Sequence, residues 1–228
     1  MKIVTLLPSA TEIVCSIGLR KSLVAVSHEC DFPNDVVSLP RITSSIIPDN
    51  LSTNQIDACV VKAVRNGDAL YQINGDLLSK IKPDLIITQG ICDVCAVNVG
   101  TVRETMLFLP DLVAANVQIL SLSGKVFFGI LNDIHQVADA TKTQNGANQL
   151  TQKLQQHWNQ LQQTQSMLKP AVLMLEWPNP FYFGGHWVPE MIEVAGGVDI
   201  MGTIGLDSGS CTLKEIQEKD PDIIISIA

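Results

Sequence analysis

Residues 79–89 read SKIKPDLIITQ, and this stretch decides the fold class. It combines the end of a short helix, a Pro-Asp pair and an aliphatic run typical of a buried strand. Residues 218–228, EKDPDIIISIA, repeat the same order. This weak internal repeat predicts two lobes of related design. The second copy stops at Ala228, at the end of its strand, so we expect the second lobe to be incomplete.

Outside this repeat, apolar runs alternate with helical patterns, which predicts an α/β protein with mostly parallel sheets. Two matches to the capping box, at residues 9–12 and 52–55, predict helix starts. Further helices are predicted at 76–81, from 188 and over 212–219. Buried strands are predicted at 3–7, 23–26, 84–88, 117–122, 171–175 and 222–227.

A long Gln-rich helix is predicted over about residues 143–167. Its apolar side chains share one face at helical spacing: Leu150, Leu154, Trp158 and Leu161. At ~1.5 Å per residue it would extend roughly 36 Å, which suits a helix that bridges two lobes. We therefore predict an N-terminal α/β lobe over 1–125, a helical segment with the inter-lobe helix over 126–168, and a C-terminal α/β lobe, truncated, over 169–228.

The composition and the N-terminal sequence limit the kinds of partner and the compartment that we expect. The formal net charge is −8, and the 15 basic residues are scattered singly, which disfavours nucleic acid. The N-terminal MKIVTLLPSATE lacks the pattern of a secretion signal, and no apolar run approaches the ~18 residues of a membrane span. We expect a monomer without membrane insertion, cytoplasmic as given and periplasmic if a leader was removed. Six cysteines in 228 residues predict reduced thiols rather than a disulfide scaffold.

Polar, thiol and aromatic residues follow several predicted strands. Because ligands of open parallel sheets bind beyond the carboxyl ends of the strands, we expect these residues to line a cleft from both lobes. The candidate ligand-binding residues are Ser9, His28, Glu29, Cys30, Asp31, Gln89, Cys92, Asp93, Cys95, Glu176, Trp177, His186 and Trp187.

The pair in QGICDVCAV, residues 89–97, has several interpretations. A structural zinc site needs four ligands, and this is one pair. A redox pair at a helix N-terminus fits the position, but Asp93 would raise the thiol pKa by like-charge repulsion. The remaining interpretations are ligand-loop residues without chemistry of their own and plain packing. We predict no metal site and no catalytic residue.

The two histidine loops also have alternative interpretations. His28, beside Glu29, could serve as a general base, a cobalt or iron ligand, or simply a hydrogen-bonded loop residue. Gly184 and Gly185 would leave room for a ligand to approach, and Trp187 offers a flat stacking face. The alternative for this second loop is a turn with a packed tryptophan.

The segments LLPSATEIVCSIGL, VAVSHECDFP, KPDLIITQ and GHWVPEMIEVAGG resemble the metal-chelate and vitamin B12 substrate-binding proteins of ABC importers. The resemblance spans nearly the whole chain. It is most specific to the branch that carries His-Glu-Cys-Asp and Cys-Asp-Val-Cys loops.

This resemblance implies two Rossmann-like lobes joined by a single long helix, the helical-backbone type of class III substrate-binding proteins. It implies binding of cobalamin, another corrinoid or a related metal chelate between the lobes, without catalysis and without an intrinsic cofactor. An ABC permease is the implied partner, docked through Asp76 and, in the second lobe, Glu215. The alternative function is a cytosolic redox or metal-handling enzyme that uses the cysteines and histidines.

Overall fold

The computed structural model describes residues 1–92, 96–163 and 168–227, which fall into two units. Each unit is assembled from several chain segments. Unit 1 consists of Met1–Asp49, Val60–Ser123 and Asn132–Leu150, and unit 2 of Asn50–Cys59, Gly124–Leu131 and Thr151–Ala228. The predicted domain limits at residues 125 and 168 stay a prediction.

Unit 1 contains a parallel sheet in the order β2-β1-β5-β6, formed by Leu23–Ala25, Ile3–Thr5, Leu85–Gln89 and Gln118–Leu122. A second ribbon pairs β3 (Thr43–Ser45) with β4 (Tyr71–Ile73) antiparallel. The helices that precede β6 in the chain are α1 (Pro8–Val14), α2 (Thr53–Asn66), α3 (Gly75–Ile81), α4 (Val99–Leu107) and α5 (Pro110–Ala114). Every residue of β5 is buried, as the continuous aliphatic run predicted.

The first helix starts differently from the prediction. Leu7 is the N-cap of α1 and no side chain caps the helix, so the predicted capping box at residues 9–12 is wrong. Pro8 at the first helical position explains the shift, because proline has no N–H to satisfy and a φ suited to the helix. The helix start predicted at residues 52–55 is confirmed, because α2 begins at Thr53. Only half of the capping box forms: the Gln55 side chain accepts from the backbone N–H of Ser52 at 2.9 Å, but the Ser52 hydroxyl donates to Gln55 instead of accepting from its N–H.

Unit 2 contains a mixed sheet in the order β10-β8-β7-β11, with β9 also paired to β7. The prediction of mostly parallel sheets holds for the sheet of unit 1, whereas the sheet of unit 2 is mixed, because β8 (Phe181–Phe183) pairs antiparallel with both β7 (Ala171–Pro178) and β10 (Gly209–Cys211). The hairpin between β7 and β8 was not predicted, and β7 runs three residues past the predicted end. The parallel neighbours of β7 are β9 (Val198–Asp199) and β11 (Ile223–Ser226), and the helices between these strands are α8 (Val188–Val194) and α9 (Leu213–Lys219).

The internal repeat has the same hydrogen bonds in both units. Asp84 accepts from the backbone N–H of Lys2 at 2.6 Å, and its own N–H donates to the Lys2 carbonyl at 2.9 Å. Asp222 makes the same two bonds with Ala171, at 2.7 and 2.9 Å. Each Pro-Asp pair therefore fixes the start of a neighbouring parallel strand. We call these contacts the Asp84 and Asp222 clasps.

Two long helices, α6 (Phe127–Thr141) and α7 (Gln144–Gln163), follow the unit 1 sheet in the chain. Trp158, from the predicted apolar stripe, stacks on Phe127 with ring centroids 4.0 Å apart and planes 7° apart. The predicted helix end at 167 lies outside the described residues. Strands β5 and β7 belong to different sheets, and the predicted α/β class is confirmed. Within the described residues, no helix combines the length and apolar composition of a membrane span.

Candidate functional site

His28 is the centre of a cluster at the carboxyl end of β2. Its Nδ1 lies 2.7 Å from Thr43 Oγ1, and its backbone N–H donates to the same oxygen at 3.0 Å. The ring lies 5.6 Å from the ring of Tyr71. On the other side, Nε2 lies 3.0 Å from Glu29 Oε1. A small pocket of about 20 Å³ opens over this cluster and is also lined by Pro8 and Ser27.

The hydrogen bonds of Thr43 favour one tautomer of a neutral His28. The Thr43 oxygen accepts from the His28 backbone, so its own hydroxyl hydrogen is available for Nδ1. With the Thr43 hydroxyl as the donor to Nδ1, the ring hydrogen of a neutral His28 resides on Nε2, which is buried. Glu29 lies within ion-pair distance of Nε2, but Nε2 has no hydrogen-bond partner among the described residues.

The loop that carries His28 is held by Arg41. The guanidinium Nη1 donates to the carbonyls of Ser27 at 3.0 Å and Cys30 at 2.5 Å, and Nη2 donates to Val37 at 3.4 Å. One cation thus joins both ends of the turn that presents His28 and Glu29. Sequence reasoning missed Arg41, because its partners are backbone carbonyls that leave no pattern in the side chains.

Cys30 occupies the protein interior rather than the surface of the pocket. It is 1% exposed, and the Thr11 hydroxyl donates to its Sγ at 3.1 Å while Thr5 contacts Thr11 at 2.6 Å. A bulky ligand does not reach a thiol buried to this extent. The predicted role of Cys30 in ligand binding is therefore not favoured by its position, whereas Asp31 and Ser9 are exposed at the surface.

Gln89 organises the loop that follows β5. Its side-chain oxygen accepts from the backbone N–H groups of Ile91 at 2.6 Å and Cys92 at 2.8 Å. Its amide nitrogen donates to the carbonyls of Cys92 and Ala96. Gln89 is 4% exposed, so both polar ends of its side chain are occupied by the loop.

The cysteine motif is described only in part, because Asp93 and Cys95 lie outside the described residues. Cys92 is partly exposed. Across residues 1–92, 96–163 and 168–227, no group of three or more His, Cys, Asp or Glu side chains is placed to hold a metal ion. Our expectation that the Cys92 and Cys95 pair does not bind zinc stays a prediction.

The second candidate cluster lies in unit 2 around His186. Its Nε2 lies 3.3 Å from Asp207 Oδ1, and Lys125 Nζ donates to the same oxygen at 2.6 Å. The backbone of His186 has a φ of 54°, a left-handed value that few non-glycine residues adopt. Two backbone hydrogen bonds fix it: His186 N–H to Leu206 O at 2.5 Å and Gly205 N–H to His186 O at 2.9 Å.

The space beside Gly184 and Gly185 is filled by the protein itself. A Cβ on Gly185 would overlap the backbone of Asp207 and Ser208, and one on Gly184 would lie 2.6 Å from Val188 Cγ1. The expectation that these glycines leave room for a ligand is therefore wrong. They allow two loops of unit 2 to pack closely and so place His186 beside Asp207.

The two candidate tryptophans lie in different settings. Trp187 is 36% exposed and its ring lies 5.7 Å from that of His186, so part of the indole is accessible to a ligand. Trp177, with Glu176, lies inside β7 rather than in a loop after it, which corrects the prediction. Trp177 pairs with Tyr182 of β8, and its Nε1 donates to the Asn179 carbonyl at 3.1 Å.

Among the described cysteines, the thiols whose pKa departs from its ordinary value have a raised pKa. Burial is the main cause for both Cys15 and Cys211, and nearby Glu215 raises the pKa of Cys211 further. A redox enzyme needs a thiol that ionises readily at neutral pH. The thiols of Cys15 and Cys211 therefore ionise less readily than an ordinary thiol.

The two acids predicted to dock a permease are both exposed. Asp76 lies in the first turn of α3. Glu215 belongs to the capping box of α9: its Oε2 accepts from the N–H of Thr212 at 2.7 Å and from its hydroxyl at 2.8 Å. These hydrogen bonds lower the pKa of Glu215.

Replacing Asp207 with asparagine is expected to lower stability slightly at pH 7 and to flatten its fall at acidic pH. The hydrogen bond and charge of Lys125 lower the pKa of Asp207, so this pair stabilises the fold above the unfolded-state pKa. The stabilisation is lost as the pH falls through the lowered, folded-state value. Urea midpoints at pH 7 and pH 3 measure the effect. In a Lys125→Met background the same replacement should have almost no effect, and an equal effect there would contradict the assignment.

The chain is similar to several known proteins, all at low identity. The family model described as periplasmic binding protein matches residues 3–226. A vitamin B12-binding protein of Vibrio cholerae is 23% identical over 232 residues, covering 99% of this chain and 70% of that protein. Another from Yersinia pestis is 22% identical over 227 residues, covering 98% and 68%.

Solved structures share the fold at the same level of identity. The periplasmic haem-binding protein HutB of Vibrio cholerae aligns with a TM-score of 0.71 at 19% identity, covering 99% of this chain and 76% of that one. The periplasmic vitamin B12-binding protein BtuF of Vibrio cholerae aligns with a TM-score of 0.64 at 23% identity, covering 99% and 75%. At this identity the likeness shows the fold alone.

Proposed function

Because this chain belongs to the periplasmic binding protein family, we propose that it is the substrate-binding protein of an ABC-type importer and that it binds cobalamin or a related corrinoid. The observation that carries the choice of ligand is the pair of vitamin B12-binding relatives, which align with at least 98% of the chain. The same proposal predicts the compartment: we expect the protein to act in the periplasm, after which its family is named.

Aromatic and polar side chains are proposed to contact the ligand. A corrinoid is a large, flat molecule with apolar edges and amide side chains, so its site needs aromatic surface and a few directed polar groups. Trp187 offers an exposed indole face, and His28 offers a buried ring nitrogen without a hydrogen-bond partner among the described residues. Gln89 acts in this proposal as a positioning residue for the loop that contains Cys92.

Haem is the competing ligand, because structures of haem-binding proteins share this fold. The two candidates are separated by titrating the protein with hydroxocobalamin and with haemin while following absorbance and melting temperature. Saturable binding of hydroxocobalamin supports the proposal. Binding of haemin with no response to hydroxocobalamin would replace cobalamin with haem as the ligand, and a response to neither would remove both.

Trp187→Ala is expected to weaken cobalamin binding about tenfold, because it removes the stacking face offered to the ligand. The measurement is an absorbance titration against wild type. Trp158→Phe serves as the matched control: Trp158 stacks on Phe127 in a structural contact, so its replacement by another aromatic should leave the affinity unchanged. Equal affinity of wild type and Trp187→Ala would exclude Trp187 from the site.

An enzyme that depends on cysteine is not supported. Family members are binding proteins, and the raised pKa values of Cys15 and Cys211 oppose thiolate chemistry at those residues. For the partner, we propose that Asp76 and Glu215 contact the permease, since both carboxylates are exposed and lie in the first turns of α3 and α9.

A further inference from the structure

A cavity of about 360 Å³ lies in unit 1, next to the small pocket over His28. It is formed where the end of α2, the start of β4 and the start of α4 meet. Its volume falls within the range of ligand pockets, whereas the pocket over His28 is too small for any organic ligand by itself. A ligand that rests on the His28 cluster needs further space, and this cavity adjoins it.

The two spaces share a wall. Tyr71, Ala96 and Val97 line both the cavity and the pocket over His28. Of these three residues, Tyr71 also packs its ring 5.6 Å from that of His28. The larger space therefore lies directly behind the wall of the pocket over His28.

The cavity has an acidic lining. Asp68 and Glu104 contribute carboxylates, and Thr101 and Asn98 contribute a hydroxyl and an amide at the start of α4. Of the described residues that line it, none is a lysine, an arginine or a histidine. Carboxylates accept hydrogen bonds and repel anions, so the lining suits an arm that ends in hydrogen-bond donors.

We propose that this cavity receives an amide- or amine-terminated arm of the bound chelate and selects against carboxylate arms. The inference rests on the proposed function and adds to it a reason for preferring a corrinoid to haem: corrinoid arms end in amides, whereas haem arms end in carboxylates. Both acids are exposed, so solvent weakens their effect, and we expect a preference of about fivefold.

The test compares the affinities of ligands that share one corrin framework and differ in a single side arm. Cobalamin and its monocarboxylates, in which one propionamide is replaced by propionate, are titrated against wild type and the variant Glu104→Lys. Wild type is expected to bind cobalamin about fivefold more tightly than at least one monocarboxylate, and Glu104→Lys is expected to remove or reverse that preference. Asp139→Lys is the matched control, because it makes the same change in net charge on the exposed face of α6. It should keep the wild-type preference.

The outcomes separate this inference from the proposed function. If wild type binds cobalamin and all monocarboxylates equally, or if Glu104→Lys and Asp139→Lys change the preference alike, the cavity does not select the arm and the inference is wrong while the function stands. If wild type binds no corrinoid, the proposed ligand is wrong and the inference fails with it. Ala69→Trp, which places an indole in the cavity from an exposed position, should weaken cobalamin more than Asp139→Lys does.

Discussion

Gly185→Ala is expected to lower the free energy of unfolding by about 3 kcal/mol. The added Cβ would overlap the backbone of Asp207 and Ser208 and lie 2.7 Å from the Leu206 carbonyl oxygen. Backbone atoms cannot turn away as a flexible side chain does, so one of the two loops must move. The measurement is the urea midpoint at pH 7.

Gly196→Ala is the control for this experiment. Gly196 has a φ of 93°, so alanine is strained there, but its Cβ would meet no atom within 4 Å. Gly196→Ala should lower the free energy of unfolding by about 1 kcal/mol, which reflects the strained backbone conformation alone. Equal losses in the two variants would mean that the loops around Gly185 separate easily and that the close packing does not fix His186.

Arg41→Met is expected to lower the free energy of unfolding by about 2 kcal/mol, because it leaves carbonyls of the His28 loop without their charged donor. Methionine keeps much of the apolar stem, so the loss reports on the guanidinium. Since the same loop presents His28, cobalamin affinity should fall about thirtyfold. Both effects are measured on one sample, by urea titration and by absorbance.

Arg20→Met removes the same charge from the other side of the loop. Arg20 pairs with the exposed carboxylate of Asp35 at 2.7 Å and donates to its carbonyl at 2.9 Å. Exposed pairs contribute little, so this variant should lose less than about 1 kcal/mol. It should also keep its affinity for cobalamin. If Arg20→Met loses affinity as strongly as Arg41→Met, overall charge rather than the carbonyl contacts of Arg41 holds the loop.

Much of the fold could be predicted because its signals are local. The aliphatic run of β5 is buried throughout, and α2 and α9 begin at Thr53 and Leu213, each within one residue of the helix start that the sequence predicted. The hairpin of β7 and β8 could not be predicted in the same way. Its strands are separated by only two residues, and the aromatic run after Trp177 has no apolar-polar alternation to mark a strand.

The candidate site was less predictable, because its contacts join distant residues. Thr43 lies 15 positions from His28, and Lys125 lies 82 positions from Asp207. No sequence spacing links such pairs, since only the fold brings them together. The histidines themselves could be found, because polar residues at strand ends are a local signal, but the partners that orient them could not.

The Asp84 and Asp222 clasps have a consequence for the order of folding. Each clasp closes a loop of chain, of 82 residues in unit 1 and 51 residues in unit 2. The entropy lost on closing a loop grows with the logarithm of its length, so closing the unit 2 loop costs about 0.4 kcal/mol less. The same Pro-Asp contact thus joins its two strands at a lower entropic cost in the C-terminal half of the chain. We therefore expect the strand pair β7–β11 to form more often than β1–β5 in the unfolded ensemble.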